Sequence, residues 1–283
     1  SFPYLIRCEN DPEFATAPAQ EVFVTHPLDA NLDWSRVELD DFGFGPVVID
    51  VPDGLQAYQT RIDYQNQDGS PLRVDVTAGL DLATGILTWV FRSLDPLTGQ
   101  LPFGVFGGFL PVNDENGRGE GFVRYLVRAK PDLSTGAKID QQASIVFDVN
   151  DPVITNTYSN TIDAAPPASS VAALPAAAPG PPFVVTWAGS DDAGGAGIAT
   201  YDVFVSEDGG PYMRWQSATV ETEAVFTGQA GRQYQFASVA VDHVGHREAF
   251  PETADATIRL LSHAWQNQPG LGQLPGHGPP TDR

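Results

Sequence analysis

Thiols, lysines and helical periodicity are all scarce in this chain. Of its 283 residues, one is cysteine and one is methionine. The single thiol, Cys8, excludes an intrachain disulfide. Lying in a strand-like run with no base beside it in sequence, it reads as a small buried hydrophobe. No dozen residues carry clean helical spacing. The longest apolar runs are strand-sized or broken by proline, which leaves no candidate membrane-crossing helix. Positive charge is short as well: 15 Lys and Arg face 36 Asp and Glu, for a formal net charge of −21. That balance repels nucleic-acid phosphates and anionic lipid surfaces, so neither nucleic acid nor membrane insertion is expected. A nucleophile elbow GxSxG, an HExxH pair, a P-loop and a dinucleotide fingerprint are also missing from the sequence. No catalytic residue and no organic cofactor is assigned, and the expectation is that the protein is not an enzyme. Ser1 opens within a strand pattern and without a leader, as a processed piece of something longer would.

What the chain has in quantity is punctuation. Twenty-eight glycines and 24 prolines imply many turns between short elements. Between them runs period-two alternation, as in Tyr58–Tyr64, Leu72–Ala78, Ile86–Leu94 and Gly121–Ala129, with Asp68-Gly69 and Thr84-Gly85 as hairpin signals. Phe183, Val185 and Trp187 alternate, an acidic glycine loop follows, and Tyr201, Val203 and Val205 alternate again. The fold class expected is all-β: two β-sandwich domains joined by a Pro/Ala-rich linker, with a Gly/Pro-rich C-terminal tail. The boundaries are 1–163 for the first sandwich, 164–182 for the linker, 183–262 for the second sandwich and 263–283 for the tail. Part of the linker, around Ser170 to Leu174, is able to serve as a first strand of the second domain. HPLDANLDWSRVEL is read as a loop or edge, and Ile139–Phe147 as one long strand.

The second unit resembles a fibronectin type III-like, or bacterial immunoglobulin-like, module. The residues carrying the likeness are Trp187 on its second strand, Tyr201 on the third, and Tyr234 on the sixth, which runs into AVDHVGHRE. Asp242 and Gly245 are kept at that strand's end, while His246 stands where an asparagine is usual. The first unit is similar to repeat domains of unknown function in large bacterial surface proteins, through TAPAQEVFVTHPLDANLDW, GFLPVNDENGRGEGFVRYLVRAK and AKIDQQASIVFDVNDPVITN. His26 replaces the usual first acid of the VTDPLD pattern. Together these resemblances imply architecture and a surface or secreted setting more than a job, because such folds host many functions.

Carboxylates and carboxamides cluster in three places that suit a hard cation needing six or more oxygens. The densest is the loop Asn113 to Glu120, with Asn113, Asp114, Asn116 and Glu120 as donors. Asp148, Asn150 and Asp151 at a strand end are within reach of such a loop. Asp191 and Asp192, with Asp202 or Asp242, form another group. In each case a solvated turn uses the same residues to cap backbone N–H groups. Asp29, Asn31 and Asp33 have calcium-loop spacing but lack the following glycine and closing glutamate. His243 and His246 give an HxxH spacing short of a third zinc ligand.

The function expected is a non-catalytic structural or adhesion module of a large secreted or cell-surface bacterial protein, stabilised by structural Ca2+. Its partners would be neighbouring modules of the same or like chains, or a cell-surface or polysaccharide ligand. One alternative is a carbohydrate-binding accessory region of a secreted hydrolase, with Trp34, Tyr212 and Trp215 as stacking platforms. Another is a filament subunit that assembles by exchange of the tail or of Phe2 to Arg7.

Overall fold

A computed structural model of the chain describes residues 1–66, 68–104 and 106–262. Every regular element in them is a strand. The chain divides into two compact units, residues 1–162 and the segment from Asp163 onward.

The first unit contains β1 (Phe2–Glu9), β2 (Glu21–Pro27), β3 (Leu32–Phe44), β4 (Val47–Ile49), β5 (Ala57–Gln65) and β6 (Pro71–Asp81). It continues with β7 (Ile86–Leu94), β8 (Glu120–Ala129), β9 (Lys138–Gln141), β10 (Ser144–Phe147), β11 (Val153–Ile154) and β12 (Tyr158–Thr161). One sheet runs β1-β8-β3-β4 and the other β11-β10-β2-β7-β6-β5, with β9 and β12 as a separate pair. Alternation decides which residues face in: Val74, Val76 and Ala78 of β6 and Leu87, Trp89 and Phe91 of β7 are buried, with their neighbours turned outward. At one end Phe44, Phe91 and Phe109 pack edge-on and stacked, arrangements that aromatic quadrupoles favour.

The segment around Trp34 departs from expectation. β3 is a 13-residue strand between β8 and β4, not a loop or edge. Its pairing with β8 slips between Asp33 and Glu38 and again between Leu39 and Phe42. Each bulge shifts the phase of the inward-facing residues, so the period-two pattern is interrupted. Ile139–Phe147 is likewise two strands. β9 pairs with β12 and β10 with β2, while Ala143 between them donates its N–H to Thr155 Oγ1 at 3.0 Å.

The second unit holds β13 (Ala168–Val171), β14 (Ala177–Ala178), β15 (Phe183–Ser190), β16 (Ile198–Glu207), β17 (Met213–Thr219), β18 (Glu223–Phe226), β19 (Gln233–Asp242) and β20 (Ala256–Leu260). The sheets run β13-β15-β18 and β14-β20-β19-β16-β17. The stretch expected as a linker therefore supplies two strands: β13 pairs with β15, and β14 runs parallel to β20. Val171 is buried in this core, which is why an Ala/Pro-rich segment is worth ordering there. Trp187, Val203, Phe236 and Ile258 fill the core. At the corner before β19 the Tyr234 hydroxyl accepts the Gln229 N–H at 2.8 Å, the tyrosine corner of immunoglobulin-like sandwiches.

Candidate metal centre

The acids of the second unit's β15–β16 loop and β19 turn meet around a residue that sequence reasoning left at a domain boundary, Asp163. Its side chain is only 4% exposed. Oδ2 accepts the Ala196 N–H at 2.6 Å and Oδ1 the Ala165 N–H at 3.3 Å. In the β15–β16 loop, Asp191 Oδ2 accepts the Gly197 N–H at 2.7 Å and Oδ1 the Asp192 N–H at 3.0 Å. Gly195 lies against both carboxylates: a Cβ there would stand 2.7 Å from Asp191 Oδ2 and 2.8 Å from Asp192 Oδ1. At the end of β19, Asp242 Oδ1 takes the N–H groups of Val244, Gly245 and His246 at 2.6–2.9 Å. Gly245 supplies the positive φ, +96°, that this tight turn needs. His246 Nδ1 lies 3.0 Å from Asp242 Oδ2 and 3.8 Å from Asp163 Oδ1.

Asp163 thus belongs to two groups, each with ligand atoms within 4.8 Å of one another: Asp163, Asp191 and Asp192, and Asp163, Asp242 and His246. The first is an all-oxygen set, the donor type a hard divalent cation takes, and it leaves coordination positions for backbone carbonyls or water. The second mixes imidazole and carboxylate, a softer set. Burial alone would raise the Asp242 carboxyl. Its three backbone N–H donors and the neighbouring His246 outweigh that and hold it below the usual range.

The remaining sequence candidates lie apart from this pole. Asp202 is fixed by Arg247 at 2.7 Å and Arg214 at 3.5 Å, and it accepts the N–H of Ala218, whose φ is +46°. It anchors the β17 bulge. His243 is the exception, since its N–H donates to Gly197 O at 3.1 Å beside the site, but its exposed imidazole belongs to neither ligand group. In the first unit, Asn113 spends its carboxamide on Gly119 N–H at 3.0 Å and Glu9 at 2.7 Å. Asp114 accepts from Arg118 Nε at 2.7 Å and from the N–H groups of Asn116 and Arg118, which lower its pKa. Asp148, at φ +53°, holds the N–H groups of Gln20 and Glu21, both at 2.8 Å. Asn116 is exposed on its turn, while Glu120, Asn150 and Asp151 line a surface groove. Among the described residues Asp114, Glu120, Asp148 and Asp151 form no three-ligand group. Asp29 caps the N–H groups of Asn31 and Asp140, and Asp33 that of Ser35.

All three candidate sugar platforms pack against other residues of the chain. Trp215 packs edge-on against Trp187, Phe226 and Phe236. Trp34 lies over Gly85, whose Cβ would stand 2.5 Å from its ring. Tyr212 packs against Phe250. Burial pushes the Cys8 thiol up to about 12, an unreactive state.

Two sets of buried groups predict different acid sensitivity in the two sandwiches. His26, the residue in place of an acid, is buried with Nε2 2.7 Å from the Tyr125 hydroxyl, and burial lowers its pKa. The unfolded chain binds this proton near pH ~6.5 and the folded chain only at lower pH. Its contribution is therefore fully present above about pH 6.5 and is lost as pH falls towards the folded value. Asp202 and Asp242 are depressed, so their contribution holds down to about pH 4 and fails below it. Denaturant midpoints of the first sandwich should fall between about pH 6.5 and pH 5, and His26→Leu should flatten that fall. A first-sandwich midpoint that stays flat over this range in the parent chain would refute the assignment.

The architecture these features define is a pair of β-sandwiches, the second with the strand order and tyrosine corner of an immunoglobulin-like, fibronectin III-like module. A family model described as a domain of unknown function (DUF7619) matches residues 103–161, within the first unit. No curated protein matches. Among solved structures, fibronectin(III)-like modules of Clostridium thermocellum CbhA align at 11% identity over 96% of this chain and 100% of theirs, with a TM-score of 0.29. A beta-1,2-glucanase from Parabacteroides distasonis aligns at 11% identity over 93% of this chain and 31% of its own, TM-score 0.26. The FN1-FN3 domains of chicken CNTN1 align at 9% identity over 86% and 96%, TM-score 0.25.

Proposed function

We propose that this chain is a non-catalytic structural or adhesion element of a secreted or cell-surface protein, its second sandwich stiffened by a calcium ion at the Asp163 pole. The observation that carries the reading is the position of Asp163. A nearly buried carboxylate gathers Asp191, Asp192 and Asp242 from loops far apart in sequence, and like charges so close repel unless protons, donors or a cation offset them. A cation there would tie the start of the unit to two of its loops, which is what a load-bearing or spacing module gains from an ion. Other acids, such as Asp148, Asp114, Asp202 and Asp208, hold loop backbone or pair with arginine, as structural rather than reactive groups do.

The test is thermal unfolding of the full chain in calcium and in chelator. Calcium at about a hundred times its dissociation constant should stabilise the second sandwich by about 2.7 kcal/mol, and Asp163→Asn should abolish the response. A melting temperature indifferent to calcium, with Asp163 intact, removes calcium from the proposal. The filament reading that rests on residues 263–283 falls outside the described residues.

A further inference from the structure

The first sandwich has one edge unlike its others. β4, β11, β9 and β12 are three, two, four and four residues long, and β5 carries ion pairs from Arg61 to Asp75 and Asp63 to Arg73. Short strands and charges of this kind blunt an edge against further pairing. β1 is different: eight residues long, it pairs with β8 on one side only. Alternate N–H and C=O groups of an antiparallel edge strand face away from its partner. Among the described residues no hydrogen bond is recorded to that outer side of β1.

Beside this free edge runs an open groove. Its first part, about 440 Å³, lies between Tyr4, Leu5 and Ile6 of β1 and Gln142, Ala143 and Tyr158 opposite. Its second part, about 890 Å³, continues past Arg7 and Cys8 towards Phe14, with Ile145, Phe147 and Val153 opposite. Arg7, Thr155 and Asn156 line both parts, so the groove follows β1 along its length. Its walls expose apolar surface: Phe14 is 83% exposed, Tyr158 59% and Val153 57%. An added strand would put alternate side chains over these residues while its backbone paired with β1. At the far end Glu9, Asp11, Glu120 and Asp151 face one cation, Arg7. A second copy of this chain, also at −21, would bring like charge to that end, whereas a basic strand is attracted to it.

We infer that the free edge of β1 and the groove beside it form a β-augmentation site for an extended segment of another polypeptide, alternating apolar with basic residues. The site lies in the first sandwich and does not depend on cation binding in the second. Strand addition gives affinity through main-chain bonds and specificity through alternate side-chain pockets, so the segment needs about six to eight residues to match β1.

The probe is a fluorescein-labelled octapeptide alternating lysine with valine, titrated into the full chain by anisotropy. Saturable binding is expected, weaker at higher salt, with hydrogen exchange slowed at alternate amides of β1. The same peptide with glutamate for lysine, or with a central proline, should not bind. Asp151→Lys, at an exposed position, should weaken binding roughly threefold, and Asp151→Lys with Glu120→Lys roughly tenfold, circular dichroism confirming that both fold. The inference is overturned by absence of saturable binding, by equal binding of the glutamate peptide, or by exchange protection elsewhere than β1. Sedimentation showing self-association through β1 would overturn it too, assigning the edge to a second copy.

Discussion

Glu248→Ala is expected to destabilise the second sandwich by about 2–6 kcal/mol, although Glu248 belongs to no strand and no metal group. The reason lies where β19 outruns its partner. β20 pairs with β19 only from Gln233 to Phe236, so beyond that point the β19 N–H groups on the same side need other acceptors. Glu248 and Asp255 supply them. Glu248 Oε2 accepts the Ala240 N–H at 2.9 Å and Asp255 Oδ2 the Ser238 N–H at 2.9 Å. The same carboxylates reach across to β13, where Glu248 takes the Ser169 N–H at 2.8 Å and hydroxyl at 2.5 Å, and Asp255 the Val171 N–H at 3.0 Å. Two side chains thus do the work of a missing strand between β13 and β19. Alanine at 248 strands two backbone donors, each costing about 1–3 kcal/mol where water cannot replace the acceptor. Glu248→Gln keeps one acceptor oxygen and should cost less than alanine. Equilibrium denaturation at neutral pH, followed in the second sandwich, makes the measurement. A loss below about 1 kcal/mol for alanine would mean that water enters the seam and that the carboxylates are dispensable.

These staples mark where sequence reading stops. The alternation of Phe183, Val185 and Trp187, and the spacing of Tyr201 and Tyr234, made the second core legible because β15 keeps register with both its partners and β16 with β19 from Thr200 onward, the other slips of β16 falling against the edge strand β17. β3 hid because two bulges shift its inward-facing set. β13 overlaps the possible first strand read around Ser170 to Leu174, whereas β14 hid in alanine and proline because its ordering comes from β20, not from its own propensity. The site was half legible. Asp191, Asp192 and Asp242 stand out beside glycines, but the residue that joins them, Asp163, sits in NTIDAAPP with no local pattern to mark it. Its role follows from the fold alone, as do those of Glu248 and Asp255. The loop from Asn113 to Glu120 shows the converse ambiguity. It has the composition of an ion loop, yet Asp114 faces Arg118 and Asn113 faces the Gly119 N–H and Glu9. Capping and coordination draw on the same residue types, so only the direction of each side chain separates them.

That loop supplies the second large expectation, that Gly119→Ala costs the first sandwich about 3 kcal/mol. Gly119 needs no unusual backbone angle. The cost is contact: a Cβ there would stand 2.5 Å from the Asn113 N and Cα and from the Pro111 O. All three are backbone atoms, unable to swing aside as a side chain would. Relief requires moving residues 111–113, and that movement pulls on bonds radiating from the same point. Asn10 donates its N–H to Gly119 O at 2.9 Å and accepts the Asn113 N–H at 2.8 Å. The Asn10 side chain is buried and donates to Ala17 O and Leu110 O. Overpacking of this kind costs about 1–3 kcal/mol where the surroundings yield and more where they do not. Gly54→Ala is the control, since Gly54 has φ +78° and nothing within 4 Å of a Cβ, so it should cost only about 1–2 kcal/mol for the backbone angle. Denaturation of both variants separates the two causes. Near-equal losses would show a loop that opens freely, and Asn113 and Asp114 would then be available to a ligand. A much larger loss at Gly119 means that the polar residues of this loop are fixed by the close approach of two backbone segments.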